Sequence, residues 1–128
     1  MTFNQLNGNL SLCDQKLTFF LSNARSLLSK VEDLEVTMSV NGVSFAFITE
    51  TWLNDNIDDA AIHIPTFSLV RRDRVSRTGG GVCAFIKSYI PFKVLTELHD
   101  DAFETLWLYI RPHKLFRGFS CLIVCVAY

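Results

Sequence analysis

Val43-Ser44-Phe45-Ala46-Phe47-Ile48-Thr49-Glu50-Thr51-Trp52-Leu53 opens as a run of short apolar residues and arrives at a carboxylate. Val43 to Thr49 has the length of a strand and carries apolar side chains on both faces, the pattern of a buried strand. Glu50 stands at its mouth, and the chain passes at once into a Trp-containing turn. Upstream, Asn41-Gly42 is a natural helix stop. Before it, Leu27, Leu28, Val31, Leu34 and Met38 fall on one stripe at helical period. Lys30, Glu32, Asp33 and Glu35 mostly occupy the opposite side. Ser26 or Asn23 is placed to cap the start of this helix. Lys16 to Ser22 (KLTFFLS) is a second buried strand that ends at the polar break Asn23-Ala24-Arg25. Strand, amphipathic helix and strand in about 35 residues make a β-α-β unit with its strands parallel.

Downstream, Asn54 to Ala61 is an acidic turn with some helical content, and Ile62 to Val70 is a loop followed by a short strand. Arg71 to Arg77 (RRDRVSR) is a strongly basic loop that runs into Gly79-Gly80-Gly81. With no Lys-Ser/Thr after them, these glycines are not a phosphate-binding P-loop and read as a flexible lead-in to the next strand. Val82 to Lys87, Phe92 to Leu98, Thr105 to Arg111 and Ser120 to Tyr128 are strand-like runs separated by turns, including 114–118. Together they predict antiparallel hairpins. Residues 1–15 are polar and Asn-rich and read as a loose leader, leaving 16–128 as one domain. The end at Tyr128, on an apolar strand, suggests truncation or a partner covering the edge.

Bulk properties narrow the functional classes. The chain has 128 residues, the length of one domain. Hydrophobic residues make up 49% and include 11 Phe, enough to build a core. A formal net charge of -1 gives no global attraction to nucleic acid, so any such contact must come from a local patch. No apolar run reaches the ~18 residues of a membrane span, and no secretory leader is evident. An intracellular site, nuclear or cytoplasmic, is expected. Cys13, Cys83, Cys121 and Cys125 form no C-x-x-C pair and read as buried free thiols. His63, His99 and His113 lack zinc-ligand spacing.

Asn23 and Glu50 both stand at the carboxyl ends of the proposed parallel strands, the rim where open α/β sheets collect ligands. An amide oxygen and a carboxylate there suit a hard cation such as Mg²⁺. The plain alternative is a helix cap and a solvated strand-end carboxylate. The blocks N-A-R-S-L-L-S-K (Asn23 to Lys30) and I-T-E-T-W-L (Ile48 to Leu53) resemble the first two motifs of the exonuclease-endonuclease-phosphatase superfamily. R-R-D-R-V-S-R-T-G-G-G-V (Arg71 to Val82), E-T-L-W-L (Glu104 to Leu108) and V-A-Y (Val126 to Tyr128) follow in the same order as in that superfamily. The nearest likeness is to the apurinic-type endonuclease domain of non-LTR retrotransposons, and it covers roughly residues 16 to 128. The fold this resemblance implies is α/β (α+β): the N-terminal half of a four-layer α/β sandwich, with a mixed sheet under a helical cover. The activity it implies is Mg²⁺-dependent (or Mn²⁺-dependent) phosphodiester cleavage that nicks target DNA.

Carried over by motif position, Glu50 is the metal-binding carboxylate and Asn23 helps organise the metal and water. Tyr128 contacts the scissile phosphate. Arg71, Arg72, Arg74 and Arg77 form a DNA-side loop, against the plain reading of a solvated loop with Asp73 as partner. Trp52 and Trp107 read as core or rim packing. The family's Asp-x-Asn and Ser-Asp-His motifs, which position and activate water, have no counterpart in the sequence, and His99-Asp100-Asp101 is a weak substitute. The expected function is therefore a fragment of a DNA endonuclease that is inactive alone. The alternative is a non-catalytic interaction module that self-associates through an uncovered sheet face. A third reading is a relative acting on a phosphoester other than DNA.

Overall fold

The computed structural model describes residues 5–11, 16–113, 115 and 117–128. The β-α-β unit is present as β2 (Lys16–Asn23), α1 (Val31–Val40) and β3 (Phe45–Thr49), with β2 and β3 parallel and Asn23 in register with Thr49. Preceding it, β1 (Gln5–Ser11) pairs antiparallel with β2. The loose leader expected over 1–15 thus contains an edge strand, and residues 1–4 and 12–15 lie outside the described residues. Asn and Gly are poor strand formers, but tertiary pairing overrides such preferences.

After β3 come β4 (Phe67–Arg72) and β5 (Val82–Lys87), an antiparallel hairpin whose second strand also lies antiparallel against β3. The first sheet is therefore mixed, in the order β1-β2-β3-β5-β4. The last three strands, β6 (Phe92–Val94), β7 (Thr105–Ile110) and β8 (Leu122–Ala127), form a separate antiparallel sheet with β7 at its centre. Lys114 and Phe116, in the turn expected at 114–118, lie outside the described residues. Among the described residues no helix is long and apolar enough to cross a membrane.

Strand alternation sends the two faces of the first sheet into two cores. Phe20, Ala46, Ile48, Cys83 and Phe85 meet Leu34 and Met38 of α1 on one side. Leu17, Phe45, Phe47, Ala84 and Ile86 meet Leu106, Leu108, Ile110 and Val126 of the second sheet on the other. An apolar face left open to water, expected from the sequence, is thus largely closed by the chain's own β6-β7-β8. The cover stops short over β2, where Leu21 is 39% exposed. There Phe19, Phe45 and Phe47 stack at centroid distances of 5.1 to 6.3 Å. Of the cysteines, Cys83 is buried as expected, and its burial pushes the thiol pKa up. Cys121 is half-buried and Cys125 exposed on the outward side of β8, contrary to expectation, while Cys13 lies outside the described residues.

The helix begins later than its stripe suggests. Ser26 and Leu27 donate their amides to Glu50 and Thr51 carbonyls, and the chain bends at Arg25 and Ser26, both at positive φ, beside the turn that follows β3. A 3-10 turn, Leu28–Lys30, then leads into α1 without a side-chain cap. Neither Ser26 nor Asn23 caps it; Glu32 and Asp33 in its first turn complement the helix dipole instead. The stop is as the sequence indicates. Gly42, at φ 58°, donates to Ser39, and Val43 donates to Met38, the paired bonds of a Schellman ending.

This shift changes the role of one stripe residue: Leu28 is 46% exposed, while Leu34 is fully buried. Leu34→Ala is expected to cost about 2–5 kcal/mol. Leu28→Ala should stay within about 0.5 kcal/mol of the parent. Chemical denaturation of the two variants checks the pair, and equal losses would contradict this placement.

Candidate active-site rim

The loop after β2 and the loop after β3 continue the pairing of their strands beyond the sheet. Ala24, Ser26 and Leu27 amides donate to the carbonyls of Thr49, Glu50 and Thr51 at 2.9 to 3.0 Å. Five non-glycine residues have positive φ among the described residues, and four of them, Arg25, Ser26, Glu50 and Trp52, lie in these two loops. Such backbone costs about 1–3 kcal/mol per residue and persists only where the surroundings over-determine it. Lys30 is one such constraint, its ammonium donating to the Ala24 and Arg25 carbonyls.

A third loop closes on the other side. Thr51 and Trp52 amides donate to Gly81 and Gly80 carbonyls at 3.3 and 2.9 Å. The glycines required here are Gly80 and Gly81, at φ 67° and 83°. A Cβ on Gly80 would overlap the Arg74 guanidinium, and one on Gly81 would fall 2.6 Å from Thr51 Oγ1. The segment expected to be a flexible lead-in is therefore a tightly packed crossing, buried at Gly80 and Gly81.

Onto this frame the second sheet adds Glu104 and Tyr128. Tyr128 donates its amide to the Glu104 carbonyl at 3.0 Å, and its hydroxyl donates to Glu50 Oε1. Glu104 accepts the Gly81 amide on Oε2 at 2.9 Å and the Arg74 Nε–H on Oε1. One end of the molecule thus gathers Asn23 from β2, Glu50 after β3, Arg74 and Gly81 from the β4–β5 loop, Glu104 before β7 and Tyr128 after β8. Of the residues singled out from the sequence, Glu50 and Tyr128 are hydrogen-bonded at this rim, and Asn23 stands at the adjacent strand end, in register with Thr49. Arg74 and Glu104 complete it, and Glu104 was not singled out as a site residue. Its signal lay in the ordered block Glu104 to Leu108, where a lone Glu before a strand gives no sign that it reaches another loop.

The electrostatics follow from these bonds. Burial would raise the Glu104 carboxyl, but the Arg74 bond and the Gly81 amide outweigh it and hold the pKa below the usual carboxylate range. Glu104 is thus a committed anion whose oxygens are both engaged, which makes it a poor proton acceptor. The bond to Glu50 raises the Tyr128 phenol, which stays a neutral donor at physiological pH. His99 lies beside Arg72 instead, its pKa lowered by burial and by that guanidinium.

The basic cluster divides. Arg71 donates to Asp73, to Asp59 at 3.0 Å, and to the Ile57 and Asn54 carbonyls at 2.7 and 2.9 Å. It pins the 54–59 turn to β4. Arg72 reaches the Asp100, Phe103 and Thr105 carbonyls and ties β4 to the entry of β7. Arg77 is exposed and forms no bond or ion pair with another described residue.

The donor set at Asn23 and Glu50 consists of hard oxygens, the chemistry of Mg²⁺ or Mn²⁺ rather than zinc. Glu50 Oε2 takes part in no hydrogen bond with the described residues, and the neighbouring Ser22 and Thr51 hydroxyls are buried without partners among them. No three His, Cys, Asp or Glu residues cluster among the described residues. A cation held by one carboxylate, an amide oxygen, water and phosphate does not require such a cluster. The residues present therefore fit a hard divalent cation. No protein-family model, curated protein or solved structure matches the chain.

Two outcomes follow from the rim. Arg71→Ala is expected to destabilise the fold by about 2–4 kcal/mol, because it leaves carboxylates and carbonyls unpaired. Arg77→Ala should fall within about 0.5 kcal/mol of the parent in the same denaturation assay. Separately, ultraviolet difference titration against Tyr128→Phe should place the Tyr128 transition above the ordinary value of about 10. Glu50→Gln should bring it down. With the folded pKa raised, the contact's contribution to stability is full below the ordinary tyrosine range and disappears as pH rises through the raised pKa. An unchanged transition in Glu50→Gln would disprove the coupling.

Proposed function

We propose that this rim is the metal-anchoring part of a Mg²⁺-dependent phosphodiesterase site of the DNA-endonuclease type, and that the chain of 128 residues does not turn over alone. The observation that carries the reading is the bond between Glu50 and Tyr128 on one strained, over-bonded rim, with Asn23 at the strand end beside it. It is supported by the resemblance of the five sequence blocks to the exonuclease-endonuclease-phosphatase superfamily and its retrotransposon endonucleases.

In this reading Glu50 Oε2 and the Asn23 amide oxygen hold the cation, which when bound stabilises charge developing on phosphate oxygens. The Tyr128 hydroxyl, which donates to Glu50 in the structure, would exchange that bond for one to a phosphate oxygen at the same rim. Arg74 neutralises Glu104 and so removes a repulsive carboxylate from the approach of a polyanion. Deprotonating water needs a further group. Among the described residues Glu104 is engaged by Arg74 and Gly81, and His99 sits with Arg72. Binding without turnover is the consequence. Arg77, rather than Arg71 or Arg72, is the free cation of the basic loop for a DNA phosphate.

A second reading has its own observation. The bond from the Tyr128 amide to Glu104 sets the β7–β8 phase, so Ile123, Cys125 and Ala127 turn their backbone groups to the free edge of β8. Ile123 is also 54% exposed, which suits a non-catalytic module that pairs with a second copy.

Mn²⁺ titration followed by electron paramagnetic resonance distinguishes the two. The metal reading expects binding that weakens at least about tenfold in Glu50→Ala. It also expects no nicking of supercoiled plasmid by the parent chain with Mg²⁺. Identical Mn²⁺ binding in both proteins would refute the anchor and leave the interaction module. Nicking abolished by Glu50→Ala would refute the claim that the chain is inactive alone.

A further inference from the structure

Two residues beyond Glu50, Trp52 is held in place but not covered. Its amide is bonded to Gly80, its φ is 55°, and its side chain remains 43% exposed. The indole lies against Gly79, where an added Cβ would stand 3.6 Å from Nε1 and within 4.0 Å of Cδ1 and Cε2. A large apolar side chain fixed by its backbone and left open to solvent is poorly explained by packing alone. The expectation of core or rim packing accounts for its backing against Gly79 and not for its open surface.

Trp52 borders a cleft of about 300 Å³ with Asn54, Arg74, Arg77, Thr78 and Gly79. No Asp or Glu lines it. Arg74 is paired with Glu104, so the available positive charge is that of Arg77. Arg77 also borders the adjoining cleft of about 760 Å³, whose lining includes Asp73, Asp101 and Glu104. A fixed aromatic surface, a guanidinium held in no ion pair, and amide and hydroxyl groups, in a smaller cleft whose own lining has no carboxylate, suit a ligand with a π-face and a phosphate.

We propose that the Trp52–Arg77 cleft is a nucleotide subsite. It takes one unstacked base of single-stranded or locally opened DNA on the indole, with the adjoining backbone phosphate on Arg77. The proposal deepens the endonuclease reading and rests on it for the position of the strand, since the neighbouring phosphate falls toward Glu50 and Tyr128. The base contact itself requires no metal. Stacking tolerates any sequence because every base has a π-face, so the subsite selects strand conformation rather than sequence. Trp52→Phe keeps a smaller ring and part of the affinity.

The test uses the Trp107→Phe chain, in which Trp52 is the remaining tryptophan of two. Its fluorescence is titrated with a short oligothymidylate in the presence of EDTA. The subsite predicts quenching on binding. Trp52→Ala, in the parent chain and measured by anisotropy of a labelled oligonucleotide, should weaken binding by about 5- to 100-fold, the loss of one base stack. Arg77→Ala should lower the slope of log affinity against log salt by about 0.7, one single-strand phosphate. Inorganic polyphosphate should not quench.

Unchanged fluorescence together with unchanged affinity in Trp52→Ala would overturn the subsite. Equal quenching by polyphosphate would overturn the base contact. Quenching in a protein that shows no Glu50-dependent Mn²⁺ binding would leave the subsite standing without the metal site. Glu50-dependent Mn²⁺ binding without quenching would overturn the subsite and leave the metal site standing.

Discussion

Three loops leave the sheets at the same end and satisfy one another's backbone. The loop after β2 donates amides to the loop after β3, which donates its own to the glycines before β5. This ladder holds four non-glycine residues at positive φ, a conformation that would relax in an isolated loop. It also delays the start of α1, because Arg25 and Ser26 are held at positive φ, outside the helical region. Glu50 therefore sits on a frame whose geometry is set by hydrogen bonds from both neighbours rather than by its own strand. A rim of this kind keeps its shape when a ligand binds, which lowers the ordering cost of binding.

The second sheet is coupled to that frame by the Tyr128 hydroxyl on Glu50, by Arg72 and, most closely at the glycine loop, by the Glu104 carboxylate. Glu104 joins Gly81, Arg74 and, through its backbone carbonyl, Tyr128. Gly80 has to be glycine because the Arg74 guanidinium lies where a Cβ would project, and Arg74 lies there because Glu104 holds it. The two sheets thus meet by apolar packing in the interior and by a charge-assisted network at the rim. Loss of the Glu104 side chain would release Arg74 and the Gly81 amide, and with them the loop that backs Trp52, while the backbone bond to Tyr128 would remain.

Much of the fold was legible in the sequence because the apolar residues of the β-α-β unit keep a single period over each element. The run Val82–Lys87 was recovered to the residue, since five of its six side chains are buried and glycines stop it on one side. β1 was not legible: its Asn and Gly residues argue for a loop, and only its pairing with β2 makes it a strand. The late start of α1 was hidden because the positive-φ bend at Arg25 and Ser26 that delays it is held by bonds to residues 50 and 51. Closure of the first sheet by β6-β7-β8 was also missed, since hairpin patterns do not reveal which face a hairpin covers. At the site, Asn23 and Glu50 were readable as strand ends of a parallel pair. The division of labour among the arginines was not, because four Arg residues in seven positions look alike until their acceptors are placed, those of Arg71 in the turn before β4 and those of Arg72 and Arg74 at the entry of β7.

That division bears on what the basic loop can do. A guanidinium surrounded by protein acceptors is desolvated in advance, and a phosphate would have to displace carbonyls and carboxylates to reach it. Arg71 and Arg72 are of this kind, and their removal acts on the fold before it acts on any ligand. Arg77 keeps its hydration, and its charge is not locally cancelled. A chain with net charge near zero can therefore still offer a polyanion one positive entry point, next to an aromatic ring and a carboxylate suited to a cation. Charge at this rim is arranged by neutralisation, with Arg74 cancelling Glu104 so that the Glu50 anion and the Arg77 cation remain.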